Sequence, residues 1–390
     1  MNKKNIILIS KEVLRKDLLG IYGGRKNTPA INELAKNGTR FNQYYTGGGS
    51  TAMAFTAMFT GLNPYEVKGR RAYEEVSMFT QSQTLFQKCT QYGFESHVVW
   101  PRHFDFYVNK YLKIFDDHVH MHALMSTATH IPSTRDWTYF KKLDQYDPSK
   151  DGFGIYRDAL DTIVSQGSSP VFVWVHLPHA LIPYRSYEED IEIFDQFVGS
   201  ISKAYDADLF ITGDHGHMRG EKGQYAYGFS VYEPVVNVPL ITPRLPAGPV
   251  IDYPVSATQL INIILDRQVE QKEFVYADTQ YYEQINRILM IRSDNYKYIF
   301  NKRDSSEELY DLSFDPGEQV NLLQRYYRCP YRHVDYPLEE VLYYNAWETA
   351  RAYYYRLRTE KERIWEKGRI RICVQERCLD ALRNTWWFLV

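Results

Sequence analysis

Short apolar runs and longer amphipathic stretches alternate over the first two thirds of the chain. The apolar runs are rich in Val, Ile and Phe and predict strands over residues 5–10, 39–45, 95–100, 171–176, 208–212 and 238–242. The longer stretches, of which 51–60 is a run of small and apolar residues, predict helices that include residues 28–37, 51–60, 80–92, 154–166, 187–204 and 256–266. Strands that alternate with helices predict the α/β class, with a mostly parallel central sheet and helices on both faces.

The pattern changes towards the C-terminus. Residues 274–325 are β-rich and contain an Asp-Pro-Gly turn, whereas residues 337–390 are helical in pattern. The apolar end, residues 385–390, is expected to pack on the body of the protein or on a partner chain. We therefore predict an α/β domain over residues 1–265, a small β-rich subdomain packed on it over 266–325, and a helical, aromatic-rich tail over 326–390 through which the chain could form a homo-oligomer.

Acidic and imidazole side chains follow two of the predicted strands. Asp214 and His215 come directly after the strand 208–212 and a glycine, and Glu12 comes just past the strand 5–10. Open α/β sheets bind their ligands at the carboxyl ends of the strands. An adjacent carboxylate and imidazole can ligate one divalent metal or transfer a proton. Asp-His-Gly also occurs in ordinary turns, so the tripeptide alone leaves the structural alternative open.

A glycine-rich segment leads into the predicted helix 51–60. Three glycines, residues 47–49, precede Ser50 and Thr51. Glycine lets the backbone approach an anionic ligand closely, and the start of the following helix supplies free N–H groups and a positive dipole end. A hydroxyl at this position is well placed to attack phosphorus or sulfur.

These segments resemble the sulfatase-like branch of the alkaline phosphatase superfamily. The resemblance extends, in family order, over residues 9–23, 28–35, 38–41, 175–184, 231–241 and 296–322. It implies an alkaline-phosphatase-like α/β fold with a closing β-hairpin near the C-terminus.

The position of the family's nucleophile departs from the sulfatase pattern. Family sulfatases carry Cys or Ser in a Cys/Ser-x-Pro-x-Arg signature that is oxidised to formylglycine. The corresponding residue here is Thr51, with Met53 and Phe55 in place of Pro and Arg. Threonine has no route to formylglycine, which disfavours the standard sulfatase mechanism. Threonine is the nucleophile in the phosphoethanolamine and phosphoglycerol transferases of the superfamily.

The resemblance to these transferases implies one divalent metal ion with four ligands: Glu12, Thr51, Asp214 and His215. Coordination of a threonine hydroxyl lowers its pKa, and the cation neutralises charge that develops on the phosphoryl oxygens. One nitrogen among three oxygen ligands disfavours calcium. We therefore expect manganese or zinc, with magnesium or calcium as the less favoured alternatives.

Two histidines and an arginine are candidates for substrate contacts. His176 and His179 follow the strand 171–176 or lie at its end. The resemblance implies that His179 hydrogen-bonds the transferring group or protonates the leaving oxygen. For His176 we favour a structural role over substrate binding. Arg15 is either an anion contact or a structural arginine.

A further histidine of the family is replaced in this chain. Family members often have a histidine before a glycine on the substrate side, and that position corresponds to Tyr227 before Gly228. His217 or Lys222 could take over its role, and no spacing argument selects between them.

Three histidines alternate in the middle of the chain. His118, His120 and His122 would share one face of a strand, which is a spacing typical of metal ligands. A polar strand or loop face is the interpretation that we favour, and a specificity loop over the pocket is the other alternative.

Composition limits the function further. The 390 residues carry a formal net charge of −2, which disfavours nucleic acid as a partner. The 33 tyrosines suit stacking on a glycan, although half-buried structural tyrosines are the simpler interpretation. The four cysteines have no paired spacing, and Cys89 is expected in the core. The chain contains no signal-peptide pattern and no apolar run of membrane-spanning length, which predicts a cytoplasmic protein.

Three functional hypotheses follow. The first is a metal-dependent phosphodiesterase, phosphatase or head-group transferase that acts on a small-molecule or glycan phosphate ester, with Thr51 as the nucleophile and His179 beside it. The second is a sulfate-ester hydrolase without formylglycine. The third is a non-catalytic binding protein that has kept the fold; the intact set of four metal ligands argues against it.

Overall fold

The computed structural model describes residues 3–66, 83–101, 115, 118–124, 153–166, 170–179, 186–279, 287–323 and 349–364. Its strands are β1 (Asn5–Lys11), β2 (Thr39–Tyr45), β3 (Glu95–Pro101), β4 (Val119–Leu124), β5 (Val171–Leu177), β6 (Ala207–Gly213), β7 (Met218–Arg219), β8 (Tyr225–Ala226), β9 (Asn237–Thr242), β10 (Val250–Ile251), β11 (Val255–Ser256), β12 (Val275–Asp278), β13 (Ile288–Ser293), β14 (Tyr296–Asn301) and β15 (Ser306–Asp311). Its helices are α1 (Pro29–Asn37), α2 (Thr51–Thr60), α3 (Leu85–Gln91), α4 (Gly154–Gln166), α5 (Tyr187–Ala204), α6 (Glu233–Val236), α7 (Leu260–Leu265) and α8 (349–364).

The large sheet has the strand order β10-β2-β9-β6-β1-β5-β3-β4, with β11 also paired to β2. Strand β1 lies between β5 and β6 and runs parallel to both. Strand β9 runs antiparallel to its two neighbours, β2 and β6. The mostly parallel sheet predicted from the sequence is therefore confirmed. Strands such as β5 are buried along their whole length, which explains their continuous apolar runs.

Helices cover both faces of this sheet. Ile6 and Leu8 of β1 point to one face, where α2 and α7 pack, and Ile7 and Ile9 point to the other, where α1, α4 and α5 pack. Every residue of α2 is buried, which explains why this helix is apolar on all sides. The hydroxyl of Thr56 in this helix donates to the carbonyl of Ala52 at 2.7 Å and so needs no contact with water.

The C-terminal strands form a separate antiparallel sheet in the order β12-β13-β14-β15, which confirms the predicted β-rich piece. One face packs against Tyr45, Val235 and Val236 of the larger body. Helix α8 covers the other face through residues that include Leu357. Part of the predicted tail thus packs on the small sheet. The apolar end at residues 385–390 lies outside the described residues.

Two helices differ from the sequence prediction at their ends. Helix α3 begins at Leu85 because Thr84 caps it: the Thr84 hydroxyl accepts a hydrogen bond from the Gln87 amide, and the Gln87 side chain accepts one from the Thr84 amide. The predicted helix 256–266 consists of a short 3-10 turn, Ala257–Gln259, followed by α7. The Ser256 side chain accepts a hydrogen bond from the Thr258 amide at the start of the 3-10 turn, whereas α7 begins without a side-chain cap.

Cys89, a residue of α3, is buried in the core, as the sequence predicts. The other three cysteines lie outside the described residues. Among the helices that the structure describes, none combines the length and the apolar character that crossing a membrane requires.

Candidate active site

The loops that follow β1, β5 and β6 meet at one edge of the large sheet. The backbone N–H of Glu12 donates to the Leu177 carbonyl at 2.9 Å, and that of Asp214 donates to the Lys11 carbonyl at 3.4 Å. Parallel strands end at the same edge, so residues far apart in the chain become neighbours there. This edge is where the sequence places the candidate metal ligands.

The turn after β1 is held in a strained conformation. Val13 has a φ of 60°, which is a rare backbone conformation for a β-branched residue. Its N–H donates to Asp214 Oδ1 at 3.0 Å, and the Tyr187 hydroxyl donates to its carbonyl. Such strain costs about 1–3 kcal/mol and persists where surrounding contacts over-determine it. Here those contacts fix the turn that carries Glu12 against the loop that carries Asp214.

Thr51 and His215 are in direct contact. Thr51 is the first residue of α2, and its Oγ1 lies 3.2 Å from His215 Nε2. His215 Nδ1 lies 2.9 Å from the carbonyl oxygen of Gly216. A carbonyl oxygen only accepts hydrogen bonds, so we infer that Nδ1 carries the imidazole proton and that Nε2 presents its lone pair. That lone pair faces the Thr51 hydroxyl.

The Asp214 carboxylate has one satisfied oxygen and one that lacks a donor. Oδ1 accepts from the amides of Val13, at 3.0 Å, and His215, at 2.7 Å. Oδ2 is buried, has no hydrogen-bond donor within the described residues, and lies 3.4 Å from His215 Nε2. Two buried lone pairs that face each other are unfavourable without a positive partner. Together with the Thr51 hydroxyl, this donor set fits a divalent cation.

Glu12 lies beside this group. Its Oε2 accepts from the backbone N–H of His179 at 2.8 Å. Burial and the nearby Asp214 carboxylate raise the pKa of Glu12, while the His179 N–H, His215 and Lys11 oppose the rise. No set of three or more His, Cys, Asp or Glu side chains in the described ranges has the arrangement of a metal site. The structure thus joins Thr51, Asp214 and His215 by contact, and Glu12 interacts with them through its charge.

The glycines before Thr51 allow close backbone packing. A Cβ added to Gly48 would lie 2.1 Å from the Asp278 carbonyl oxygen, and one added to Gly49 would lie 2.5 Å from the Ser230 carbonyl oxygen. A larger residue at either position would therefore shift the backbone. This close packing fixes the approach to α2 and with it the position of Thr51.

The start of α2 has no side-chain cap. Ser50 precedes the helix with an extended backbone, and its side chain makes no capping hydrogen bond. Its buried Oγ has no hydrogen-bond partner among the residues that the structure describes. The first N–H groups of a helix have no intrahelical acceptor, so an anion or water must satisfy them. No feature of the sequence alone distinguishes Ser50 as a functional residue.

Lys11 fixes the segment that carries His179. Its ammonium is buried, donates to the Pro178 carbonyl at 2.6 Å and pairs with Asp190 at 2.6 Å. The His179 ring lies near Tyr187, and its Nδ1 is buried without a hydrogen-bond partner in the described part of the chain. Burial, reinforced by Lys11 and two other histidines, lowers the pKa of His179 to about 3. The ring is therefore neutral near pH 7.

His176 has the surroundings of a core residue. It is fully buried, and its Nδ1 lies 2.9 Å from the Ser10 hydroxyl, which also accepts from Trp174 Nε1 at 2.7 Å. The edge of the Phe55 ring packs against it with centroids 5.0 Å apart. These contacts favour the structural interpretation of His176.

The two candidate cations are engaged by the protein itself. The Arg15 guanidinium pairs with the carboxylates of Asp17 and Glu221, each at 2.6 Å. The Lys222 ammonium donates to the Tyr310 hydroxyl at 3.0 Å. An anion bound by either side chain would share the cation with these partners. A substrate contact for Arg15 or Lys222 stays a prediction.

Tyr227 lies next to the reactive group. Its ring centroid is 4.5 Å from that of His215 and 5.9 Å from that of His217. An aromatic ring with a hydroxyl thus borders the site at the position where the resemblance implies a histidine.

The three alternating histidines lie elsewhere in the sheet. His120 and His122 of β4 are in register with His97 and Val99 of β3. His97 Nδ1 lies 3.2 Å from His122 Nε2, and Glu95 lies 3.2 Å from His97 and 3.3 Å from His120. Glu95 begins β3, whereas Thr51 is near the carboxyl ends of the strands. The cluster therefore forms a polar face on the edge strands, and His118 precedes β4.

This cluster predicts a loss of stability in mild acid. Burial lowers the pKa of His97 to about 4, with Glu95 opposing the shift and His122 and His120 reinforcing it. The unfolded chain, with a histidine pKa of 6.5, then binds more protons than the folded chain below about pH 6.5. The free energy of unfolding should fall as the pH is lowered towards 4, and His97→Gln should make this fall shallower.

Melting temperatures at pH 7 and pH 5 test this expectation. His118→Gln, at an exposed neighbour, is the matched control and should melt with the wild-type pH dependence. An identical drop in melting temperature for wild type and His97→Gln would rule out His97 as the source.

The comparisons with known proteins agree with the fold. A family model described as Sulfatase matches residues 4–205, which is more than half of the chain. The chain belongs to the sulfatase family. The predicted branch of the superfamily is thereby confirmed.

Solved structures share the fold at low sequence identity. A Bacteroides thetaiotaomicron protein assigned as a sulfatase is 17% identical, with a TM-score of 0.65 over 82% of this chain and 88% of its own. The phosphonate monoester hydrolase of Agrobacterium radiobacter is 15% identical, with a TM-score of 0.64 over 90% and 96%. An alkaline phosphatase superfamily protein from Vibrio parahaemolyticus is 14% identical, with a TM-score of 0.57 over 88% and 84%. No curated protein sequence shows significant similarity to the chain.

Proposed function

We propose that the protein is a metal-dependent enzyme that cleaves or transfers a phosphate ester, with Thr51 as the nucleophile. The observation that carries this proposal is the contact of the Thr51 hydroxyl with His215 Nε2 at 3.2 Å, beside the donor-less Oδ2 of Asp214. A threonine in the place of a cysteine or serine favours phosphate over sulfate, because formylglycine cannot form from it.

Four side chains would hold the metal: Glu12, Thr51, Asp214 and His215. A bound divalent cation supplies Lewis acidity, which lowers the pKa of a ligated hydroxyl and offsets negative charge on phosphoryl oxygens. The three oxygens and one nitrogen of this set favour manganese or zinc over calcium. The identity of the metal is part of the proposal.

The residues of the chain would position the ester and the nucleophile. The uncapped start of α2 and the buried Ser50 hydroxyl offer donors to phosphoryl oxygens. Once the Thr51 hydroxyl has lost its proton to solvent, its oxygen bonds to phosphorus while the bond from phosphorus to the leaving oxygen breaks. The leaving oxygen takes up a proton from solvent, and we expect His179 to hydrogen-bond it. The oxygen of water or of an acceptor hydroxyl, which gives up its proton to solvent, then bonds to phosphorus. The bond from phosphorus to the Thr51 oxygen breaks, and that oxygen takes up a proton to restore the hydroxyl.

A panel of aryl phosphomonoesters, phosphodiesters and sulfates, with Mn²⁺, Zn²⁺, Mg²⁺ or Ca²⁺, tests this proposal. We expect one of the phosphate esters to turn over fastest with Mn²⁺ or Zn²⁺, and a chelator to abolish turnover until the metal is restored. Comparing products with and without a sugar alcohol as acceptor separates a hydrolase from a transferase.

Two results of the same panel would contradict the proposal. Faster cleavage of the aryl sulfate than of its phosphate analogue would support the sulfate-ester hydrolase, which family membership favours. The absence of turnover with every metal, together with the absence of bound metal by elemental analysis, would support a binding protein that has kept the fold.

A further inference from the structure

A hairpin beside the site exposes aromatic side chains. Strands β7 and β8 form this hairpin, and the chain continues through Tyr227 to Phe229. Tyr225 is 76% exposed and Phe229 is 64% exposed. We call Tyr225 and Phe229 the aromatic rim. Aromatic side chains offer a flat apolar face to a ligand, and their place beside the candidate site distinguishes these two from exposed aromatic residues elsewhere.

The segment that carries the rim borders the nucleophile on two sides. Tyr227, between the two rim residues, lies with its ring centroid 4.5 Å from that of His215. The Cβ position at Gly49 is 3.5 Å from the Gly228 amide nitrogen and 2.5 Å from the Ser230 carbonyl oxygen. The segment that contains Tyr227 and Gly228 therefore packs against both the His215 imidazole and the loop before Thr51.

Ion pairs and backbone conformation hold the hairpin in place. Glu221 in its turn pairs with the buried Arg15 at 2.6 Å, and Lys222 donates to the Tyr310 hydroxyl at 3.0 Å. Ala226 and Gly228, which flank Tyr227, both have positive φ, at 78° and 90°. A surface that is already ordered loses little conformational entropy when a ligand binds.

We propose that the aromatic rim binds the alcohol part of the substrate by stacking on a ring, so that the preferred substrates are phosphate esters of a ring-bearing alcohol. This inference rests on the proposed function, because Thr51 defines where the phosphate lies. The flat apolar face that the rim recognises occurs on an aryl group and on the C–H face of a sugar. The experiment distinguishes these two sources.

Binding of phosphonates, which cannot be hydrolysed as esters, tests the rim without turnover. Calorimetry with Mn²⁺ present would compare methylphosphonate, phenylphosphonate and the phosphonate analogue of glucose 6-phosphate. We expect Tyr225→Ala and Phe229→Ala each to raise the Kd of a ring-bearing phosphonate about five- to tenfold. The Kd of methylphosphonate, which has no ring, should rise less than about twofold.

Phe314→Ala is the matched control, because Phe314 is 88% exposed and follows β15, outside the hairpin. It should leave all three dissociation constants at the wild-type values. A loss confined to phenylphosphonate identifies an aryl group, and a loss confined to the glucose analogue identifies a sugar. Equal losses for methylphosphonate and the ring-bearing ligands, or no loss for any, would overturn the proposal.

Two further outcomes separate this inference from the proposed function. If the wild-type protein turns over phosphate esters but both rim variants have unchanged Kd values, Thr51 is supported as the nucleophile and the rim is rejected as a binding site. If the wild-type protein turns over no ester but the rim variants bind ring-bearing phosphonates more weakly, the rim is supported as a binding site and Thr51 is rejected as the nucleophile. A change in sedimentation on Tyr225→Ala without a change in Kd would identify an interface between copies of the chain, and would also overturn the rim as a substrate site.

Discussion

Thr51→Ala is expected to lower kcat/KM for the best phosphate ester by at least about 1000-fold, because the variant has no oxygen to bond to phosphorus. The fold should be retained. Alanine is a good helix former, and the hydroxyl of Thr51 contacts the polar side chain of His215 rather than an apolar core residue. Steady-state kinetics and a thermal melt of the same preparation measure both effects.

Two variants in the same helix act as controls. Thr51→Ser keeps a hydroxyl and should retain part of the activity. Thr56→Ala removes a hydroxyl that donates to the Ala52 carbonyl one turn back, and should leave kcat/KM near that of the wild type. Unchanged turnover in Thr51→Ala would eliminate Thr51 as the nucleophile.

Lys297→Met is expected to destabilise the fold by about 3–5 kcal/mol, because it leaves buried carboxylates without their cation. The Lys297 ammonium is fully buried and lies 2.9 Å from a Glu233 oxygen and 2.8 Å from a Glu318 oxygen. Glu233 begins α6 in the larger body, whereas Lys297 belongs to β14. The interaction therefore ties the small sheet to the domain that carries the site.

Thermal melts of Lys297→Met and Lys272→Met measure this contribution. Lys272 pairs with Glu270 at the surface, where both side chains are more than half exposed, so its replacement should cost less than about 1 kcal/mol. Equal melting temperatures for the two variants would show that the buried interaction contributes little to stability.

The sequence predicts the large sheet well because burial on two faces leaves a clear pattern. Strands β1, β5 and β6 are continuous apolar runs, and their predicted positions agree with the structure. Helix α5 has the predicted bounds; Ser186 and Glu189 form a capping box at its start, a signature that is visible in the sequence. The two-residue strands leave no such pattern in the sequence. Strands β10 and β11 are defined by pairing with the distant β2, and strands β7 and β8 are defined by pairing with each other in one hairpin.

The site is only partly accessible to sequence reasoning. Local motifs single out Thr51 and Asp214, and the resemblance to a family suggests that they come together. The strain at Val13 depends on a hydrogen bond to a residue 201 positions away, which no local pattern records. Only the fold shows that Tyr187 contacts the same turn. Only the fold shows, too, that the Ser50 hydroxyl has no hydrogen-bond partner among the described residues. The sequence therefore indicates the chemistry, and the fold shows how the groups are held.

The boundaries at residues 265 and 325, a homo-oligomer formed through the tail, and a cytoplasmic location remain predictions of the sequence. Sedimentation of the full chain and of a variant that ends after α8 would test the role of the tail directly. A monomer in both cases would exclude self-association through residues beyond 364.

A single cation bound beside Thr51 would be located by anomalous diffraction from crystals soaked in Mn²⁺. We expect one strong peak bounded by Glu12, Thr51, Asp214 and His215, and its loss in crystals of Asp214→Asn. A peak confined to the histidines of β3 and β4, or no peak at the carboxyl ends of β1 and β6, would contradict this expectation.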